Sequence, residues 1–157
     1  MDKLLLFIDG SVNTQSKTGY GACLAVSGTI LSHDSLMTKV KIKRFENTSS
    51  TKLELQTLLW ALYDIRHPIN KVIIYTDSQN IISLPNRRSR LEENNYRSKK
   101  NKLLNNHELY QKFYKITDQM NCEFVKVSGH KPSNQKNNID RLFSLVDKAS
   151  RNAQRIN

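Results

Sequence analysis

The chain has 157 residues, enough for one domain with a real hydrophobic core and too few for two comfortable ones. Hydrophobic residues make up 38% and charged residues 25%, too rich a core composition for a disordered chain. The 25 Lys+Arg against 14 Asp+Glu give a net charge of +11 and a pI of about 9.8, which makes a polyanion the leading partner class, nucleic acid ahead of an acidic membrane. Cys23 and Cys122 stand far apart with no CxxC or His/Cys cluster, so neither a zinc site nor a disulfide framework is indicated. The first apolar stretch is about five residues, too short for a signal-peptide core or a membrane span. A cytoplasmic, reducing location is the expectation.

In chain order, residues 3–8 form an apolar run that stops at Asp9-Gly10 and reads as a buried strand. A polar stretch over 11–18 leads to Gly19-Tyr20-Gly21 and a second strand through Val26. Residues 38–45 alternate Val40, Ile42 and Arg44 with Lys39, Lys41 and Lys43, a third strand with one basic face. Three successive strands with short connections predict an antiparallel meander. From 51 to 65 the period becomes helical, with Leu55, Leu58, Leu59, Leu62 and Ile65 recurring on one face. Residues 71–76 (KVIIYT) are a fourth strand, followed by Asp77-Ser78 and a short apolar segment ending before Pro85. A helix over 106–119, a strand over 123–127 and a helix over 138–154 complete the chain. The order βββ-α-β-α-α-β-α describes one α/β domain with a mixed sheet.

Residues 87–102, RRSRLEENNYRSKKNK, hold seven Lys/Arg and two Glu with little apolar periodicity. They read either as a solvated loop or helical excursion, or as a basic arm that lies along phosphates.

Acids stand at the ends of elements. Asp9 closes the first strand and Asp77 the fourth, where open α/β sheets face their ligand crevice. Each also has a structural reading, Asp77-Ser78 as a helix N-cap among them. Thr51-Lys52-Leu53-Glu54 fits a capping box, yet Glu54 in a first helical turn also suits the same crevice. Asp140 and Asp147 are seven residues apart, nearly on one helical face, and either could pair with a Lys or Arg at helical spacing. His130 lies on a Gly/Pro-flanked loop, where it would titrate near neutrality. Four gathered carboxylates repel one another unless cations join them, and oxygen-only ligands favour Mg²⁺ or Mn²⁺. Two such ions suit phosphodiester cleavage.

Four stretches resemble the type 1 ribonuclease H family: FIDGS followed by GYGACLAV, TKLELQTLLWAL, VIIYTDSQ, and VSGH followed by VDKASRNA. The resemblance implies a ribonuclease H-like, mixed five-stranded sheet flanked by helices, and a DEDD site holding two Mg²⁺ ions, with Mn²⁺ as a substitute. Asp9, Glu54 and Asp77 match the first three acids of that site. For the fourth, VDKASR resembles the family's D-x-L-A-R signature and points to Asp147; Arg151 and Ala153 extend the match. Asp140 is the alternative, because it follows His130 by the family's usual ten residues and sits in its own D-x-L. His130 resembles the loop His associated with water activation or product release.

The implied reaction is hydrolysis of the RNA strand of RNA–DNA hybrids, leaving 3′-hydroxyl and 5′-phosphate ends. Ser49, Ser50 and Thr51 stand where the family often has Asn before the helix Glu, and still offer hydrogen bonds to 2′-OH or phosphate groups. The candidate nucleic-acid contacts are Ser50, Thr51, Lys52, Ser78, Arg87, Arg88, Arg90, Arg97, Lys99 and Lys100. The expectation is a single domain over 1–157 with a basic protrusion or loop at 87–102, monomeric, with no membrane, no small-molecule cofactor and no separate hybrid-binding domain before the first strand. Three alternatives remain at this point: a catalytically inactive or non-hybrid-specific nucleic-acid-binding protein on the same fold, a DNA-directed nuclease on that fold, and a basic structural protein whose acids are caps and surface charges.

Overall fold

Side-chain alternation in the first strand builds both faces of the molecule. The computed structural model describes residues 3–27, 39–65, 69–128, 131–132, 134 and 136–156. Strand β1 (Lys3–Asn13) runs antiparallel to β2 (Thr18–Ser27), which pairs antiparallel with β3 (Lys41–Phe45). On its other side β1 pairs parallel with β4 (Lys71–Thr76), and β4 parallel with β5 (Cys122–Lys126), giving the order β3-β2-β1-β4-β5. This mixed five-stranded sheet is the one expected. Leu6 and Ile8 join Cys23, Val72 and Ile74 in one cluster, whereas Phe7 joins Ala22 and Leu24 in the other. Helices cover both faces, so the central strands carry apolar residues on both sides.

Helix α1 (Ser50–Tyr63) lays Leu55, Leu58, Leu59 and Leu62 on the first face. Its close approach depends on glycine: a Cβ at Gly21 would lie 2.2 Å from Thr57 Oγ1, and one at Gly10 2.9 Å from Leu53 Cδ2. Helices α2 (Gln79–Glu93) and α3 (His107–Gln119) complete that layer through Ile81, Leu84, Leu91, Phe113 and Ile116. Arg88 joins them, donating to Asp118 at 2.6 and 2.9 Å, and the Tyr114 hydroxyl donates to the Leu84 carbonyl. Helix α4 (Asn138–Ile156) covers the second face with Phe143, Leu145 and Val146. Helices covering both faces set the centre of the sheet between two hydrophobic layers.

Four local expectations need correction. Strand β1 does not stop at Asp9; it continues through Gly10 to Asn13, so much of the polar stretch 11–18 is paired strand. The turn lies at residues 14–17, closed by Lys17 in a left-handed conformation (φ 58°) donating to the Asn13 carbonyl. Strand β3 begins at Lys41, after a turn at residue 39; position 38 lies outside the described residues. The segment after Ser78 does not end before Pro85, which sits inside α2. Burial of Leu84 and Leu91 on either side of it, together with the Arg88–Asp118 pair, offsets the lost backbone bond. Helix α1 is capped by Ser49, whose side chain accepts from Lys52 N, so the Thr51–Glu54 capping box does not form.

The basic segment divides in two. Residues 87–93 are the last turns of α2, and Tyr96 beyond them is buried at 8% exposure. A bridge between Arg97 and Leu103, with Ser98 N donating to the Lys102 carbonyl, closes a tight turn that exposes Arg97, Lys99, Lys100 and Lys102.

Candidate active site

Parallel register sets the first two acids at one level. Phe7 and Tyr75 are register partners on β1 and β4, and their rings stack with centroids 4.8 Å apart. Asp9 and Asp77 each follow two residues later, Asp9 still within β1 and Asp77 just past β4. By the two-residue period Asp9 shares the face of Phe7, the face that α4 covers. Two turns into α4, Asp147 comes within hydrogen-bonding reach of Asp9. Glu54 enters from α1 on the opposite layer and accepts a hydrogen bond from the Ser78 hydroxyl. Asp9, Glu54 and Asp77 line a crevice of about 250 Å³ together with Gly10, Ser50, Leu53 and Thr76.

The electrostatics follow from this gathering. Burial, then the charge of Asp77, and to a lesser degree the hydrogen bond and charge of Asp147 push the Asp9 carboxyl up to about 8, against a pull from the Gly10 backbone N–H that exceeds either effect of Asp147 alone. Burial also raises Glu54, with Asp77 adding to it, while the Ser78 hydroxyl works in the other direction. Two carboxyl groups in hydrogen-bonding contact require a proton between them, and Asp9 is the group placed to keep it.

Among the described residues no three Asp, Glu, His or Cys side chains already form a metal cage. The physical reason is visible in the hydrogen bonds. Glu54 is turned to Ser78, and both oxygens of Asp147 accept from Arg151, at 2.9 Å from Nε and 2.8 Å from Nη2. The donor set nonetheless suits a hard divalent ion: every candidate ligand is a carboxylate oxygen, and the burial and neighbouring negative charge that lift Asp9 are what such an ion would offset.

Asp140 has a different job. It stands at the third position of α4, its carboxylate accepting from Asn137 N while its own N–H donates to Asn137 Oδ1. This reciprocal cap, with Lys131 donating to the same carboxylate at 3.2 Å, holds its pKa below the ordinary carboxylate range. The structure brings Asp147, not Asp140, to Asp9. His130 lies outside the described residues.

The candidate nucleic-acid contacts fare unequally. Ser50, Thr51, Arg90, Arg97, Lys99 and Lys100 are exposed. Lys52, partly exposed, donates to the Asn47 carbonyl. Arg87 donates to Asn80 Oδ1 and lies over the Tyr110 ring, and Arg88 is held by Asp118 and Glu92. Ser78 is 4% exposed, caps α2 by accepting from Ile81 N and donates to Glu54, so it is a positioning residue rather than a surface contact. The spacing of Asp77-Ser78 signalled the cap; nothing in one sequence signalled the bond to Glu54. The i, i+4 spacing of Asp147 and Arg151 did signal their pair.

A mixed sheet in this order, with helices on both faces, places the protein in the α/β class with a ribonuclease H-like fold. The model of the RNase H family matches residues 1–150, and the chain belongs to that family. The ribonuclease H of Caldicellulosiruptor saccharolyticus is 27% identical over 154 residues, 96% of this chain and 100% of the relative. That of Chlorobium phaeovibrioides is 29% identical over 101 residues, 63% of this chain and 68% of the relative, and that of Chlorobaculum parvum 26% identical over 153 residues, 94% and 98%. The protein is a hydrolase of the ribonuclease H type. No helix among the described residues is long and apolar enough to cross a membrane.

Proposed function

We propose that the protein is a metal-dependent endoribonuclease that hydrolyses the RNA strand of RNA–DNA hybrids by a two-metal-ion mechanism, leaving 3′-hydroxyl and 5′-phosphate ends. One observation carries the reading: in a chain of the RNase H family, Asp9, Asp77 and Asp147 converge on one end of the sheet where Glu54 meets them from the opposite layer. Asp9, Glu54, Asp77 and Asp147 would hold two Mg²⁺ ions, or Mn²⁺ in their place. Bound there, the ions supply an activated water on one side of the phosphorus and charge neutralisation of the leaving oxygen on the other.

The chain's own groups do the rest. Asp9 gives up the proton it keeps beside Asp147 when the site is loaded, so loading is favoured as pH rises. Ser78 fixes the rotamer of Glu54 and ties it to the start of α2. Ser50, which lines the crevice, and Thr51 and Lys52 beside it on the first turn of α1 would donate to phosphate or 2′-OH groups. Arg90, Arg97, Lys99 and Lys100 hold more distant backbone phosphates. His130 keeps its expected part in water activation or product release, and the natural location of the enzyme is the cytoplasm. The test is a labelled-strand panel of hybrid, duplex RNA, duplex DNA and single strands with Mg²⁺. Cleavage confined to the RNA of the hybrid is expected. Equal cleavage of duplex DNA would overturn the substrate assignment, and hybrid binding with no cleavage would favour the inactive-module alternative.

A further inference from the structure

Asp147 is already held by a cation of the chain itself. Arg151, one turn further along α4, donates from Nε to Oδ1 at 2.9 Å and from Nη2 to Oδ2 at 2.8 Å, engaging both carboxylate oxygens. This fork is the strongest way a guanidinium binds a carboxylate. The side chains are 28% and 44% exposed, so water screens the pair only in part. The acid precedes the base by four residues, the order that a helix favours, so the pair needs no help from neighbouring elements. Asp147 also lies within hydrogen-bonding reach of Asp9.

Resting on the reading of the acids as a metal site, we propose that Arg151 competes with divalent metal for Asp147 and so sets the metal concentration at which the site loads. A hard divalent ion binds through carboxylate oxygens, and both oxygens of Asp147 are already in charge-assisted hydrogen bonds. Loading therefore places a divalent ion on oxygens whose lone-pair density is already drawn towards the guanidinium, and brings a double positive charge near a fixed single one. Both effects oppose metal binding. Their electrostatic part, taken at the dielectric of bulk water as a lower bound, corresponds to about tenfold in affinity. Arg151 is thus an affinity-determining residue for the reaction, acting through Asp147 without touching substrate.

The test is calorimetric titration of the full chain with Mg²⁺ and with Mn²⁺, without nucleic acid. It compares wild type with Arg151→Met, Arg151→Lys, Lys148→Met and Asp9→Asn. Arg151→Met is expected to bind metal at least about tenfold more tightly than wild type. Arg151→Lys, which keeps the charge and loses the fork, is expected to fall between the two, and it carries the test if the Met variant does not fold. Lys148→Met removes an exposed cation from the same helix and is expected to match wild type. Affinity in both Arg151 variants equal to or weaker than wild type would overturn the proposal, leaving Arg151 as a support for Asp147. So would tightening by Lys148→Met as large as that by Arg151→Met, because net charge alone would then explain it. If wild-type metal binding survives Asp9→Asn undiminished, the reading of the acids as the metal site fails and takes this inference with it. If Asp9→Asn abolishes binding while the Arg151 variants match wild type, that reading stands and the competition alone is refuted.

Discussion

Replacing Asp9 with Asn should make the metal-free protein more stable at alkaline pH while destroying its activity. The Asp9 carboxyl rises from 3.8 to about 8 in the folded chain, because it is buried beside Asp77 and Asp147. A carboxyl raised on folding favours its protonated form in the native state. Its contribution to stability is therefore fully present below pH 4 and is lost as pH climbs towards 8. Every tenfold gain in the proton affinity of the carboxyl corresponds to about 1.4 kcal/mol, which sets a ceiling of roughly 6 kcal/mol. The crevice opens to water and the charge is shared with two neighbours, so the expected loss between pH 5 and pH 8.5 is on the order of 2 kcal/mol. For a domain of this size that corresponds to about 4–8 °C in Tm. The assay is thermal melting in EDTA across that range for wild type and Asp9→Asn, read as the difference so that other titrating groups cancel. The variant should gain on wild type as pH rises, and Mg²⁺ should close the gap by stabilising wild type alone. A difference that does not change with pH, or an Asn variant that loses ground at high pH, would show that Asp9 is not under this electrostatic load.

Other expectations follow from single contacts. Gly21→Ala should cost about 2 kcal/mol in a denaturant titration, because its Cβ would overlap Thr57 Oγ1, and a second change, Thr57→Ala, should recover part of it. Ser78→Ala should lose about 1 kcal/mol with the α2 cap and also raise the Mg²⁺ concentration needed for half-maximal cleavage, whereas Ser78→Thr should keep both functions. A Lys99→Ala/Lys100→Ala double variant should bind hybrid less tightly, and its log K against log salt should flatten by about one to two units if both side chains meet phosphates.

Much of this molecule was legible because its signals are local and periodic. The helical recurrence of Leu55, Leu58, Leu59 and Leu62 and the apolar runs of β1 and β4 reflect burial: all four leucines are buried, as are Leu6, Phe7 and Ile8 of β1 and Val72 and Ile74 of β4. Boundaries failed where tertiary pairing overrode local chemistry. Asp9-Gly10 looked like a strand end, but β2 keeps β1 paired to Asn13 after β4 has stopped. Pro85 looked like a helix end, but burial of Leu84 and Leu91 carries α2 through it. At the site, sequence could place Asp9, Glu54 and Asp77 at element ends and could not decide between Asp140 and Asp147. That choice depends on where α4 starts: with Asn137 as its cap, Asp140 is consumed in the first turn and Asp147 reaches the sheet two turns later. The Ser78–Glu54 bond joins two elements 24 residues apart in sequence, a separation that no periodicity records.

The claim that these particular acids perform the cleavage is tested most directly by single-turnover hydrolysis of a labelled RNA–DNA hybrid in Mg²⁺, comparing wild type, Asp147→Asn and Asp140→Asn. Asp147→Asn should retain less than about one per cent of the wild-type rate, as loss of a catalytic metal ligand implies. Asp140→Asn should cleave at close to the wild-type rate and melt a few degrees lower through its weakened helix cap. A fully active Asp147→Asn beside an inactive but folded Asp140→Asn would contradict the assignment.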